Sequence, residues 1–522
     1  MRQANFGYIV RKKSYYDPGK VAIVEQATRE EYTYADVERR SNSVARALRD
    51  RGIGEGDRVC GLFRNSVEFF DLFFATCKLG AVVAPFNYRL STDELGYLKG
   101  DVDPDLFVYE GVFEEKAAAL AGGVPAVRIG DAEAESDGDA DGDGGERVGA
   151  EDWAAFYEYD GGEAGIEVAD GFEDPAVLLY TSGSTGRPKG VPISHKNLFF
   201  SSVSYLVDTE LDGDDVTVTS SPIFHVGGLN IFTLPLIHTG GTVVLQQEFE
   251  PEETWEILAE YDVTKLFAIP TMLNAMVGVE GWRDHDLSAL ELVVGGGEPV
   301  PSELKEAFDS IGVPCVAAYG LTETTDGSLV LRPEHAMAKG PKCNGKTFTH
   351  VDAKVVDEDG SECPPGEAGE LLHRGPTVAE GYLGRPGETE AAFAADGWLR
   401  TGDIAEVDAD GFYHIHGRMD DMIVSGGENV YPGEVEEALY SHPEVSEVVV
   451  FGVPNEEWGQ AVKAVIATTH GGELDYEALR GFLEDRLARF KHPREVEYVD
   501  ELPKSGTGKI ERSAVLDRHG PE

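Results

Sequence analysis

Residues 176–190 read AVLLYTSGSTGRPKG. An apolar strand pattern, AVLLY, delivers the chain into a run of Gly, Ser and Thr that ends at Lys189. Such a run by itself is more often a plain surface turn than a ligand cradle. Its surroundings favour the cradle. Ser194 can cap a helix beginning HKNLFFSSVSYL, so the pattern predicts strand, loop and helix in succession. Glycine lets backbone approach a phosphate, hydroxyls and backbone N–H groups donate to it, and a lysine adds a point charge. The loop is not a Walker P-loop, because GxxxxGK[ST] is not satisfied. KSGTGKIERS (504–513) fails the same test, since Ile510 follows the lysine.

The flanking chain alternates in the same way. YTYADVERRSNSVARALRDRG (32–52) predicts a short strand and then a helix with Val37, Val44 and Leu48 on one face, closed by Gly52. DRVCGLF (57–63), VEFFDLFFATCKLG (67–80) and AVVAPF (81–86) read as strand, buried helix and strand. Further units follow at TVTSSPIF (217–224), GTVVLQ (241–246), EETWEILAEYDVTKLFAIP (252–270) and LELVVGGG (290–297). The expected class is α/β with parallel sheets. From about residue 340, short strands with turns indicate a β-rich subdomain. Beyond GRMDDMI (417–423), a helix within YPGEVEEALYSHPEV (431–445), with Pro432 in its first turn and Pro443 beyond its end, strands at 445–453 and 461–469 and a helix at 474–490 form a small α+β domain. The expected division is a large domain at 1–419 and a small mobile domain at 420–522.

Bulk properties limit the function classes. The chain has 522 residues, of which 41% are hydrophobic, enough for a sizeable core. It carries 96 Asp and Glu against 44 Lys and Arg, a net charge of −52. That field repels nucleic acid and anionic membrane surfaces. The carboxylates are spread over the whole chain, which suggests adaptation to concentrated salt, where the Debye length falls to about 3 Å. The five cysteines are scattered without a CxxC pair, so neither a zinc site nor a disulfide framework is indicated. The N-terminus lacks an apolar signal core, and no run reaches the ~20 apolar residues of a membrane span. A cytoplasmic protein is expected. Between Asp131 and Glu146 lie eight acidic residues among Gly, Ala and Ser. They read as a solvated loop, since EF-hand spacing and flanking helices are missing.

The opening loop resembles the signature of the AMP-forming adenylate-forming enzymes, the superfamily of acyl-CoA synthetases, adenylation domains and luciferases. Six further motifs of that family follow in order: SPIFHVGGLN (221–230), GGGEP (295–299), YGLTET (319–324), TGD (401–403), GRMDDMIVSGGENVYPGEVE (417–436) and PKSGTGK (503–509). The resemblance spans essentially the whole chain.

The resemblance implies roles for individual residues. Thr181, Ser182, Gly183, Ser184, Thr185, Gly186 and Lys189 would clamp the β- and γ-phosphates of ATP. Thr322 would touch phosphate and Glu323 would help hold Mg²⁺, a task for which a hard carboxylate oxygen is suited. Gly296, Gly297, Glu298 and Pro299 would border adenine, with Tyr319, followed by Gly320, stacking on the base. Asp403 would bind the ribose hydroxyls and Arg418 ribose or phosphate. His225, beside Phe224, would gate the acyl carboxylate. Lys509 would be the main catalytic cation, because a carboxylate attacking a polyanion needs positive charge between them. In the family the small domain then rotates, Asp420 marks the hinge, and Gly426 and Gly427 let the pantetheine arm of coenzyme A pass.

The implied reaction couples a carboxylic acid, ATP and coenzyme A through an acyl-adenylate. No carrier segment follows residue 522, which disfavours a multidomain peptide synthetase. The glycines of FHVGGLN leave room for a bulky acid. A medium- or long-chain fatty acid is the leading expectation, with an aryl or o-succinylbenzoate-like acid second. A luciferase-like oxygenase and an idle nucleotide-binding protein are the alternatives from other classes, and a monomer or homodimer is expected. Stability should rise steeply with salt concentration in a chemical-unfolding titration. Full folding at tens of millimolar salt without ligand would overturn the salt-adaptation reading.

Overall fold

The computed structural model describes residues 2–120, 122–130, 149–159, 166–181, 187–339, 343–394, 396–455, 457–484, 486–504 and 509–521. The acidic stretch, Ser182–Gly186 of the phosphate loop and the centre of PKSGTGK lie outside them.

The alternating pattern builds two sheets among the described residues. The first runs Glu151–Asp152, Ala126–Ile129, Leu106–Glu110, Arg58–Leu62, Val82–Phe86, Pro175–Thr181 and Lys189–Ser194. All its pairings are parallel except the last. The second has a parallel centre of Cys315–Tyr319, Leu292–Gly295, Lys265–Ala268, Val216–Thr219, Thr242–Leu245 and Val21–Glu25, with antiparallel strands at both edges. One apolar core joins the sheets. Leu179 and Ile193 of the first and Val244 and Leu266 of the second belong to it, together with Val44, Leu48, Phe70 and Phe73 from the helices Tyr34–Asp50 and Val67–Leu79. Val67–Leu79 is apolar nearly all round because it is buried nearly all round.

The predicted β-rich subdomain is an antiparallel sheet of Asp352–Val356, Gly369–Arg374, Leu399–Val407 and Tyr413–Arg418. Sheet membership changes at the single 3₁₀ turn Met419–Asp421. The chain beyond it forms its own sheet around the long hairpin Val445–Asn455 and Gly459–Thr468, with a separate core. Among the described residues no helix is long and apolar enough to cross a membrane.

Two local expectations need correction. The phosphate loop does not lead directly into a helix. It returns as the antiparallel strand Lys189–Ser194, with Thr181 paired to Lys189, and the helix starts only at His195. The cause is the alternation in KGVPIS, where Val191 and Ile193 turn into the core. The helix at 474–490 is shorter than expected, spanning Tyr476–Glu484, and its continuation at Arg489–Lys491 is a 3₁₀ turn.

His373 lies on Gly369–Arg374 with both ring nitrogens buried and without hydrogen-bond partners among the described residues. Burial pushes its pKa down to about 3. The unfolded chain takes up that proton near pH 6.5, so His373 destabilises the fold as pH falls through 6.5 towards 3. His373→Phe should shrink the loss of stability between pH 7 and pH 5 by about 2 kcal/mol in urea unfolding. An unchanged loss would refute this.

Candidate active site

Leu292–Gly295 and Cys315–Tyr319 are parallel neighbours, with Gly295 opposite Ala317. Both chains leave the sheet at its carboxyl edge, where ligand crevices form in parallel sheets. Two glycines make the close approach possible. A Cβ on Gly320 would sit 1.7 Å from the Asp326 carbonyl oxygen, so a side chain there would displace the backbone. Gly297 has φ +83, and its carbonyl accepts a hydrogen bond from Lys509 Nζ at 3.1 Å. The small C-terminal unit therefore reaches the GGGEP turn of the large one. Glu298 strengthens the junction. Its carboxyl is pushed up to about 7 by burial, opposed by the Lys509 charge and by a hydrogen bond from the Ile510 backbone N–H. Lys509 also acts electrostatically on His225 and Asp326.

After Gly320 the chain makes the 3₁₀ turn Thr322–Thr324 and doubles back through two left-handed residues, Thr325 (φ 55) and Asp326 (φ 71). The turn presents Glu323, whose Oε1 accepts a hydrogen bond from the Tyr382 hydroxyl at 2.8 Å. The Ala379 N–H donates to the Glu323 carbonyl at 2.8 Å and holds the turn in place. Among the described residues no three His, Cys, Asp or Glu side chains converge on a metal cage. Mg²⁺ is commonly held by one or two carboxylates plus substrate phosphates. A positioned Glu323 fits this use.

Asp403 and Arg418 face each other as a cross-strand pair at the end of the β-rich sheet. Asp403 is only 5% exposed. Its Oδ2 accepts from the Tyr319 hydroxyl at 2.5 Å, and its Oδ1 from Arg418 Nη1 at 3.2 Å. Arg418 also donates to the Thr401 carbonyl at 3.0 Å. Burial raises the Asp403 pKa, and Arg418 and the tyrosine oppose the shift. An anchored carboxylate of this kind has lone pairs left for two vicinal hydroxyls. Tyr319 is tied at its hydroxyl, with its ring 5.9 Å from that of His373.

His225 precedes the short helix Val226–Asn230, and its ring packs 4.7 Å from Phe224. Nε2 is buried without a partner among the described residues, and burial lowers the pKa to about 3. At neutral pH the imidazole is uncharged, so it can orient or gate a ligand but holds no spare proton to give as an acid.

Other expected residues stand apart. Lys189 Nζ pairs with Glu388 at 2.6 Å and lies over the Tyr382 ring, 5.1 Å from its centroid. Thr181 ends the preceding strand, Pro299 is exposed and Gly296 is buried in the turn. Gly426 (φ 64) and Gly427 (φ 85) form the two-residue turn of the hairpin Ile423–Ser425 and Glu428–Val430. A Cβ on Gly426 would meet the Trp458 ring at 2.6 Å, so this turn packs within its own domain. Sequence reasoning missed Tyr382, Phe267 and Asp326. Tyr382 sits in a plain EGYLGRP loop, and Asp326 lies two residues beyond the recognised TET turn.

Comparison with known proteins agrees with this geometry. The model of the AMP-binding enzyme family matches residues 10–383, and that of the AMP-binding enzyme C-terminal domain matches residues 434–509. A feruloyl-CoA synthase from an Amycolatopsis species is 36% identical over 100% of both chains. An indoleacetate–CoA ligase from Aromatoleum aromaticum is 34% identical, covering 96% of this chain and 95% of its own. A long-chain-fatty-acid–CoA ligase from Mycobacterium tuberculosis is 32% identical, covering 99% and 98%. Among solved structures, ATP-bound MatB from Rhodopseudomonas palustris superposes with a TM-score of 0.86 at 30% identity, covering 99% of each chain. The o-succinylbenzoate coenzyme A synthetase of Bacillus subtilis, in complex with ATP and magnesium ion, does so with a TM-score of 0.84 at 28% identity, covering 97% of this chain and 98% of that one. The chain, from its phosphate loop to the lysine docked on Gly297, belongs to the AMP-binding enzyme family.

Proposed function

We propose that this chain is an AMP-forming acid–thiol ligase that joins a carboxylic acid to coenzyme A at the expense of ATP. The observation that carries the reading is Lys509 Nζ at 3.1 Å from the Gly297 carbonyl, a cation from one domain delivered into the crevice of the other. In the first half-reaction a carboxylate oxygen attacks the α-phosphorus of ATP, and the bond to pyrophosphate breaks. Nucleophile and target are both anionic, so a fixed ammonium group stabilises the crowded transition state more than the separated reactants. Asp403 holds the ribose hydroxyls, with Tyr319 and Arg418 fixing its orientation. Thr322 and the loop around Thr181 address the phosphates. Mg²⁺ held by Glu323 would neutralise phosphate charge when bound.

In the second half-reaction the thiol sulfur of coenzyme A attacks the acyl carbon. The carbon–oxygen bond to AMP breaks, and the thiol proton passes to solvent. Lys509 then has no role at the acyl carbon. Rotation about the Met419–Asp421 turn, at Asp420, would withdraw it and bring the Gly426–Gly427 turn to the crevice.

For the acid, an aromatic skeleton is the reading we favour. The Phe267 ring packs against Gly227, 3.0 Å from where a Cβ would be, so an aromatic side chain borders the FHVGGLN segment. Relatives acting on feruloyl and indoleacetate groups support it. A fatty acid is the second reading, supported by the similarity to a long-chain-fatty-acid ligase.

A pyrophosphate-release screen over aromatic and aliphatic acids in high salt tests the reaction class, and no release with any acid would sink it. Lys509→Ala should slow adenylation at least a hundredfold while adenylate-to-thioester conversion of supplied acyl-adenylate persists. Preserved adenylation in that variant would refute the role of Lys509. Asp420→Pro should show the converse pattern, sparing pyrophosphate release and suppressing thioester formation. Equal loss of both half-reactions would argue against a hinge.

A further inference from the structure

The helix Pro432–Tyr440 of the small domain carries glutamates at 434, 436 and 437, and they are used differently. Glu434 pairs with Lys491. Glu436 Oε1 accepts from Arg512 Nη1 and from the Val450 N–H, both at 2.8 Å. These contacts lie within the small domain and hold the helix on its own sheet. Glu437 instead reaches across the domain junction, where its Oε1 accepts from the Ser302 hydroxyl at 3.4 Å. Ser302 begins the helix Ser302–Asp309, and Lys305 follows one turn on, only 7% exposed. A buried ammonium group is costly without opposite charge nearby. Burial lowers the Lys305 pKa, and the Glu437 carboxylate is among the groups that act against that fall. A side chain of the small domain thus helps to balance a charge buried in the large one.

The start of the same helix is docked as well. Tyr431, its N-cap residue, lies on the His416 ring of the strand Tyr413–Arg418, with ring centroids 5.2 Å apart and planes 24° from parallel. A stacked aromatic pair adds attraction beyond its buried area. Tyr431 and Glu437 therefore meet two separate parts of the large domain, and Lys509 meets a third at Gly297.

We propose that Glu437 is a positioning residue: by bonding Ser302 and balancing Lys305 it clasps the small domain in the arrangement that delivers Lys509, with the Tyr431–His416 stack as the second point of hold. This rests on the ligase reading and goes beyond it. Rotation about the Met419–Asp421 turn breaks the clasp, so its strength sets the share of molecules poised for adenylation. The second half-reaction follows rotation and does not need the clasp.

The experiment measures the two half-reactions separately in high salt: pyrophosphate release with the best acid of the aromatic and aliphatic panel, and thioester formation from supplied acyl-adenylate and coenzyme A. Glu437→Ala should lower kcat/KM for pyrophosphate release about tenfold, the value of one charge-assisted hydrogen bond, and leave thioester formation unchanged or faster. Glu437→Gln, which can still accept from Ser302 but carries no charge, should fall between. Ser302→Ala should repeat part of the loss in wild-type protein and add nothing in the Glu437→Ala background. Tyr431→Leu should show the same one-sided loss. Equal loss in both half-reactions would mark a merely structural role and overturn the proposal. Unchanged pyrophosphate release in Glu437→Ala, or independent effects of Ser302→Ala and Glu437→Ala, would overturn it too and leave the ligase reading intact. Wild-type protein that releases no pyrophosphate with any acid overturns both.

Discussion

The hydrogen bond from Lys509 Nζ to the Gly297 carbonyl is the contact on which the proposed catalytic arrangement depends. It joins residues more than two hundred positions apart, and it is possible only because Gly297 turns with a positive φ and no side chain blocks the amine. The neighbouring junction, Ile510 N–H to the Glu298 carboxyl, holds the same two segments in register. Further contacts flank it, with Ser302 Oγ bonded to Glu437 at 3.4 Å. In the proposed mechanism a cation supplied by a separate domain is present for one chemical step and removed for the next. A lysine built into the crevice wall could not do this.

Charge is distributed in the crevice to suit a polyanionic ligand. Half-buried Glu298 and buried Asp326 and Asp403 are all carboxyls raised by desolvation, and each has a cation acting against the rise: Lys509 for the first two and Arg418 for the third. His225 is driven the other way and stays neutral. Lys189, the charge most prominent in the sequence, is paired with Glu388 in this arrangement.

Much of the architecture was legible because the apolar periods are unambiguous. Strands such as DRVCGLF and LELVVGGG and the helix VEFFDLFFATCKLG fall where their patterns place them. The strand Lys189–Ser194 was not, because HKNLFF drew attention to the helix and the alternation in KGVPIS is only six residues long. Motif residues were readable as a set, since seven ordered motifs are specific where one Gly/Ser loop is not. Tyr382 and Phe267 were not readable, because a tyrosine in a loop and a phenylalanine in a strand are each ordinary until the fold sets them against Glu323 and Gly227.

By itself the sequence determined the αβ alternation, the family and the chemical types available at the site, since these follow from period, spacing and side-chain identity. Only tertiary structure decided which groups are partnered. Asp403 became an anchored carboxylate because cross-strand register puts Arg418 opposite it and the end of a different sheet puts Tyr319 beside it. Asp326 Oδ2 became a buried acceptor without a donor among the described residues because the turn after Glu323 packs it against Gly227, which offers it no side chain. Burial and pairing are set by distant segments packing together, and a linear sequence carries no distance between them.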